Sequence, residues 1–205
     1  MKCKYCKKNI SEEKIKKNTT IAVCPECWAL FDINNRSYAG IVHKKIKCQE
    51  ESNYLKITCS WFTWGDLLCF LGLIFLNLYA FNLIFYVISN PLLTILYPVI
   101  WFLTYFYLGR VFNRTILEVK DNNLSSSHKP VPWFENISFH SKDLQEIYSK
   151  EVRAKTMNYI VKGKLKDGKE VKLISFLQKP EDALFIEEKL KKYLKVKTFS
   201  LPKNN

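Results

Sequence analysis

Four cysteines near the start of the chain are the residues best suited to chemistry. Cys3 and Cys6 form one C-x2-C pair, Cys24 and Cys27 form a second, and seventeen residues separate the pairs. Each pair makes a tight turn that offers two sulfurs, and two such turns brought together complete a tetrahedral four-thiolate site. The spacing therefore predicts a zinc ribbon in residues 1–40, with all four cysteines as ligands of one structural Zn²⁺.

Disulfides and a redox-active C-x2-C pair are the competing interpretations of this pattern. A cytoplasmic location disfavours disulfides, and no strand–helix sequence of the thioredoxin type surrounds either pair. Few apolar residues lie between the pairs, so zinc would supply the folding energy. Four cysteine ligands would leave no open coordination position for catalysis. Cys48, Cys59 and Cys69 have no such partners, and we expect them to be small apolar fillers.

The longest apolar stretch, residues 67–109, contains no charged residue and no histidine. It divides into blocks of 22 and 18 residues, 67–88 and 92–109. At 1.5 Å per residue these blocks are about 33 and 27 Å long as helices, enough for a bilayer core of about 30 Å. Ser89-Asn90-Pro91 between them suits a tight turn. The stretch predicts a transmembrane helical hairpin within residues 66–110. A helix pair buried in a soluble core would need a larger protein around it.

Charge is concentrated on both sides of this hairpin. Residues 1–60 carry a net charge of +6 and residues 110–205 a net charge of +8, whereas the turn between the two blocks carries none. By the positive-inside rule, both termini are expected in the cytoplasm. The sequence pI of about 9.4 would also suit a nucleic-acid-binding protein. Basic flanks beside anionic lipid explain the same charge with fewer assumptions.

Alternating apolar and polar residues predict β-structure on either side of the hairpin. Residues 41–61 are expected to form a β-hairpin that leads into the membrane. Residues 113–196 are expected to form several strands, with a turn at Asp167-Gly168 and a C-terminal amphipathic helix beginning at Pro180. The prediction is a multi-domain membrane protein in which a small β-barrel or β-sheet domain is capped by a helix. Residues 197–205 would be a tail.

Several short segments resemble an uncharacterised group of bacterial membrane proteins. These segments are Trp61-Phe62-Thr63-Trp64, Asn113-Arg114-Thr115, Pro132-Trp133, Ile147-Tyr148, Asp167-Gly168-Lys169 and Pro180 to Glu187. Proteins of that group join an N-terminal zinc ribbon, two membrane helices and a pleckstrin-homology-like (PH-like) β-domain. The resemblance implies a bacterial inner-membrane location. It also implies that residues 41–61 and 113–196 belong to one PH-like domain, with the membrane hairpin inserted between them.

The sequence offers little to suggest an enzyme. His43, His128 and His140 lie far apart and show neither metal-ligand nor triad spacing. The carboxylate pairs Glu50-Glu51 and Glu187-Glu188 are interpreted as solvated charge. We therefore expect no catalytic residues.

The clearest candidate for a binding surface is a row of lysines on the predicted Asp167-Gly168 hairpin. Its members are Lys162, Lys164, Lys166, Lys169 and Lys172. A solvated strand face that guards an exposed sheet edge is one interpretation, and contact with lipid headgroups or an acidic partner is the other. The functional expectation is a non-enzymatic, membrane-anchored scaffold module that binds protein or anionic lipid headgroups. The alternative is a membrane-tethered zinc-ribbon regulator that contacts nucleic acid.

Overall fold

A computed structural model provides the fold of the chain. The residues it describes are 3, 5–9, 21–34, 37–38, 44–82, 91–134, 136–153 and 157–196. Among them, helices α1 to α3 span Trp64–Asn82, Pro91–Phe112 and Pro180–Leu194. Strands β1 to β10 span Ile21–Val23, Leu30–Asp32, Ile46–Glu51, Tyr54–Ser60, Arg114–Lys120, Asn123–Lys129, Ile137–His140, Leu144–Arg153, Met157–Leu165 and Glu170–Leu177.

The described strands form open sheets. One sheet has five strands in the order β3-β4-β5-β6-β7, a second has three in the order β10-β9-β8, and β1 pairs with β2. No closed barrel is formed by the described part of the chain, so the barrel alternative is wrong there and the sheet alternative holds. The predicted helix after the strands is present as α3 and begins at Pro180.

The predicted β-hairpin before the membrane segment is present as β3 and β4. The strand order places β4 beside β5. Leu55, Ile57 and Cys59 alternate as fully buried residues along β4. Cys48, in contrast, is exposed on β3 and is not an apolar filler. Residues 41–43 lie outside the described residues, and the domain boundaries stay a prediction.

The hairpin β9-β10 follows the predicted turn. Residues on both sides of Asp167-Gly168 pair in antiparallel register, and Gly168 has a φ of 85°. Such a φ favours glycine, because a Cβ would be strained there. The strand β7 was not predicted, since it has only four residues and follows a proline-rich loop.

Two of the helices are long and apolar enough to cross a membrane. The candidate spans are Trp64–Asn82 and Thr94–Phe112. Helix α1 begins three residues before the predicted 67–88 block, and α2 extends beyond the predicted 92–109 block to Phe112. Residues 83–90, which include Ser89 and Asn90 of the predicted turn, lie outside the described residues.

The chain divides into two compact units. The first comprises Met1–Thr58, Ile116–Ser126 and Ile137–Asn205, and the second comprises Cys59–Thr115 and Ser127–Asn136. The core of the first unit is aliphatic, and its fully buried side chains include Leu117, Leu124, Ile147, Val161, Leu173, Ile186 and Leu190.

Within the second unit, polar contacts join the ends of α1 and α2. The Thr63 hydroxyl accepts a hydrogen bond from the Asp66 N–H at 3.0 Å and donates one to its carboxylate at 2.6 Å, so Thr63 is the N-cap of α1. Asp66 also pairs with Arg110 at 2.9 Å. Farther along the helices, the Asn77 amide donates to the Thr104 hydroxyl at 2.8 Å. These contacts hold the helices as an antiparallel pair.

Two of the helical glycines, Gly72 and Gly109, provide a matched test of this packing. A Cβ added at Gly109 would lie 2.4 Å from Trp133 Cζ3, whereas one at Gly72 would meet nothing within 4 Å. Gly109→Ala should therefore lower the free energy of unfolding by about 1–3 kcal/mol through overpacking. Gly72→Ala should leave it unchanged or raise it by up to about 1 kcal/mol. Denaturant unfolding of the full chain in detergent measures both, and equal effects would contradict the packing of Trp133 on Gly109.

Candidate metal centre

The four predicted ligands meet at one point in the first unit. The sulfurs of Cys3, Cys6, Cys24 and Cys27 all lie within 4.8 Å of one another. The Cys3–Cys27 and Cys6–Cys24 sulfur distances are both 3.6 Å. Four sulfurs placed about 2.3 Å from a central ion would be about 3.8 Å apart. The cluster therefore fits a tetrahedrally coordinated metal ion.

Both cysteine pairs are held in turns of the same geometry. In each, the carbonyl of the first cysteine accepts a hydrogen bond from the N–H four residues later, which belongs to a residue with a φ of 62°. The N–H of the first cysteine in each pair donates a hydrogen bond to the carbonyl five residues later. The four bonds are Lys7 N to Cys3 O (3.1 Å), Trp28 N to Cys24 O (2.9 Å), Cys3 N to Lys8 O (2.9 Å) and Cys24 N to Ala29 O (3.0 Å). The repeated geometry gives the site its approximate two-fold symmetry.

The thiols differ in how readily they lose a proton. Burial raises the pKa of Cys3 and of Cys27. Burial also opposes ionisation of Cys24, but the backbone N–H groups of Cys27 and Glu26 and the neighbouring thiols lower its pKa to about 7. Since thiolates are the ligands, metal binding at this cluster would release protons.

Strands β1 and β2 flank the second cysteine pair. They pair in antiparallel register, with Ala22 opposite Phe31. Both residues are buried in a small cluster with Cys3 and Cys24. Most of the segment between the two cysteine pairs, residues 10–20, lies outside the described residues.

The second turn pairs with the edge of the three-stranded sheet. The N–H of Glu151 in β8 donates to the carbonyl of Trp28 at 2.9 Å, and Ala29 forms an antiparallel bridge with Lys150. An edge strand presents unpaired backbone groups that must be covered. The cysteine-bearing segment provides part of that cover for β8.

A buried carboxylate joins the first turn to the sheet and to α3. Glu187 is 7% exposed. Its oxygens accept hydrogen bonds from the Tyr5 hydroxyl at 3.0 Å, the Ser149 N–H at 2.7 Å and the Lys191 ammonium at 2.5 Å. The interpretation of Glu187 as solvated charge is therefore wrong. A carboxylate with three donors, one of them charged, can be buried without a large penalty.

Tyr5 is well suited to this contact. Its ring lies 5.3 Å from that of Tyr148 and 6.0 Å from the Lys191 ammonium. Burial and the adjacent Glu187 carboxylate raise the pKa of Tyr5 far above its ordinary value. The hydroxyl therefore stays protonated and acts as a donor. Because Tyr5 lies between Cys3 and Cys6, the first cysteine turn itself supplies this donor.

Glu188 was also interpreted as solvated and is likewise engaged. Its carboxylate accepts hydrogen bonds from the Ser37 hydroxyl at 2.6 Å and the Tyr38 N–H at 2.8 Å. The Tyr38 hydroxyl in turn donates to Asp32 at the end of β2. Neighbouring carboxylates of α3 thus hold both the first turn and the segment that follows β2.

The described histidines lie outside the cysteine cluster. His128 Nδ1 lies 3.2 Å from the Thr115 hydroxyl, and His140 Nδ1 lies 3.1 Å from the Asn122 carbonyl oxygen. His43 lies outside the described residues. In the described ranges, the four cysteines are the one group of such side chains arranged to hold a metal ion.

No protein-family model and no curated protein matches this chain. The geometry of the cysteine cluster and the two apolar helices are therefore the features of this chain that indicate its function.

Substitution of a ligand should abolish metal binding, whereas substitution of an exposed cysteine should not. Cys24→Ser removes one of four thiolates, so the purified protein should lose its bound metal and unfold more readily. Cys48→Ser is the matched control, since Cys48 is exposed and outside the cluster. Elemental analysis gives metal per chain. Equal metal content in the two variants would contradict the assigned ligands.

Removal of the Tyr5 hydroxyl should weaken the attachment of the first turn. Tyr5→Phe leaves the metal ligands in place but deprives buried Glu187 of a donor, at a cost of about 1.5–3 kcal/mol. Tyr54→Phe is the control. The Tyr54 hydroxyl donates to Glu118 at 3.2 Å, and the Glu118 side chain is 36% exposed. Because solvent screens this contact, its loss should lower the free energy of unfolding by less than about 1 kcal/mol. Denaturant unfolding of the metal-loaded full chain measures the free energy of unfolding of both variants. If Tyr5→Phe lowers the free energy of unfolding no more than Tyr54→Phe does, the hydrogen bond between Tyr5 and Glu187 does not contribute to stability.

Proposed function

We propose that this protein is a membrane-anchored, non-enzymatic interaction module. Its zinc-stabilised ribbon and β-domain would face the cytoplasm and bind a partner there. One observation carries the proposal: the four-cysteine turns are hydrogen-bonded to β8 and α3, within a chain that also has two apolar helices. The metal would thus be part of the fold of a tethered domain.

The donor set supports zinc and a structural role. Four cysteine sulfurs at tetrahedral spacing suit Zn²⁺, and no coordination position would remain for a substrate. The hydrophobic cluster around the site is small and consists largely of the ligands with Ala22 and Phe31. Metal binding would therefore supply much of the folding free energy of the ribbon.

The proposed orientation depends on charge. The flanks of the helical pair carry the positive charge, and the segment between the helices has no Lys or Arg. Both termini would therefore be cytoplasmic. The resemblance to bacterial membrane proteins agrees with this topology, and it would place the chain in an inner membrane.

The PH-like interpretation of the β-domain stays a proposal. Two open sheets of five and three strands are followed by one C-terminal helix, which has the buried residues Ala183, Leu184 and Ile186. This order of elements agrees with the resemblance, although the sheets are open.

The partner would be recognised by exposed positive charge on β9-β10. Lys164, Lys166 and Lys169 are exposed around the turn of this hairpin, whereas Lys162 pairs with Glu170 at 2.7 Å. Anionic lipid headgroups are the partner that clustered lysines near a membrane favour. An acidic protein surface would use the same charges.

The test compares anionic lipid with nucleic acid as the ligand. In nanodiscs that hold the full chain, amide exchange of residues 164–170 should slow when zwitterionic lipid is partly replaced by anionic lipid. The triple variant Lys164→Gln, Lys166→Gln, Lys169→Gln should lose this protection. A control that removes the same charge elsewhere, Lys120→Gln, Lys142→Gln, Lys179→Gln, should retain it.

The two function hypotheses give opposite results. Protection that depends on anionic lipid and weakens with salt supports the lipid-binding module. Salt-sensitive binding of RNA or DNA, without any effect of anionic lipid, would instead support the nucleic-acid regulator.

A further inference from the structure

A short loop after β6 has the composition of a membrane-interface segment. This loop, residues 130–134, reads Pro-Val-Pro-Trp-Phe and belongs to the same compact unit as α1 and α2. Phe134 at its end is 74% exposed. Aromatic side chains are enriched at the surface of a bilayer.

Two hydrogen bonds fix the loop against α2 and the residue that follows it. The Val131 N–H donates to the side-chain oxygen of Asn113, a fully buried residue, at 2.7 Å. The Tyr105 hydroxyl donates to the carbonyl of Pro132 at 2.5 Å. The loop therefore runs back along the last turns of the second candidate span.

Trp133 fills the space above Gly109. The contact is so close that no Cβ could be accommodated at that glycine. The indole also lies 5.6 Å from the ring of Phe106 and 5.3 Å from that of Trp61. Because Trp133 is held from several sides, the loop has a fixed position beside the helix.

The contacts place the loop at the level of residues that would face lipid. The ion pair of Asp66 with Arg110 marks the end of the helix pair nearest to water. Tyr105 lies five residues before Arg110, about 7–8 Å farther into the span at 1.5 Å per residue. Phe102, one turn beyond, is 63% exposed in the absence of a bilayer. The loop thus extends from the charged end toward the apolar surface.

The backbone of the loop is suited to an environment with little water. Pro130 and Pro132 have no N–H group, and the N–H of Val131 is bonded to Asn113. The carbonyl of Pro132 is bonded to Tyr105. Unsatisfied backbone groups cost several kcal/mol each in hydrocarbon. The two prolines and two hydrogen bonds reduce that cost.

We propose that residues 130–134 are a third membrane-contacting element, in which Phe134 inserts among phospholipids at the boundary between headgroups and acyl chains. The inference rests on the proposed membrane anchoring of α1 and α2. Lys129, which is exposed immediately before the loop, would lie near the lipid phosphates. The loop would hold the end of β6, which precedes it, at the bilayer surface.

Site-specific photo-crosslinking of the full chain in phospholipid vesicles tests this. The photoreactive residue p-benzoylphenylalanine replaces Phe134, the lipid-facing reference Phe75, which is 73% exposed on α1, or the exposed Lys142. Phe134 should yield a lipid adduct, detected by mass, in an amount similar to Phe75 and several-fold above Lys142. Bound metal per chain confirms that each variant is folded.

The reference positions separate the two hypotheses. A lipid adduct at Phe75 but none at Phe134 would overturn the inference and leave the membrane anchor intact. Absence of lipid adducts at both positions would overturn the membrane anchor itself, and the inference with it. An adduct of Phe134 with protein in place of lipid, or labelling no greater than at Lys142, would also overturn the inference.

Discussion

A buried carboxylate needs hydrogen bonds on both of its oxygens. The carboxylate of Glu187 has them, and the elements of the first unit are arranged around it. Glu187 receives its donors from the first cysteine turn, from β8 and from its own helix. Removing any one donor would leave charge buried with incomplete compensation, which costs more than the loss of an exposed ion pair. The relative placement of ribbon, sheet and helix is therefore constrained by one side chain.

The cysteine cluster and the helix pair could be predicted from local sequence. Two C-x2-C pairs determine their own turn geometry, and an uncharged stretch of 43 residues has few environments other than a bilayer. Glu187 could not be predicted in this way. Its donors Tyr5 and Ser149 lie 182 and 38 residues away in the chain, and a carboxylate on a helix is usually solvated. Tertiary contacts alone reveal that it is buried.

The position of Trp133 illustrates the same limit in the second unit. The prolines on either side of Val131 predict a loop, because neither can donate to a sheet. They do not indicate that the loop turns back onto α2. That arrangement requires a residue without a side chain at position 109, which leaves room for Trp133, and a hydrogen bond from Val131 to the Asn113 side chain. The sequence around a glycine in an apolar helix does not indicate which aromatic ring packs on it. Close packing of this kind is specified by shape, which hydrophobic periodicity does not encode.

The arrangement of Tyr5 has a thermodynamic consequence for the metal centre. Tyr5 lies between two ligands, so an ion that holds Cys3 and Cys6 in their turn also orients the hydroxyl toward Glu187. Metal binding would then favour the attachment of the turn to β8 and α3. Attachment would raise the metal affinity by the same factor, because coupling between two binding equilibria is reciprocal. Loss of the metal would weaken the contact of Tyr5 with Glu187 and the backbone cover of β8 together, since both are made by the cysteine turns. A bound ion would thus couple the ribbon to the β-domain, and the exposure of the β8 edge would depend on the occupancy of the four cysteine sulfurs.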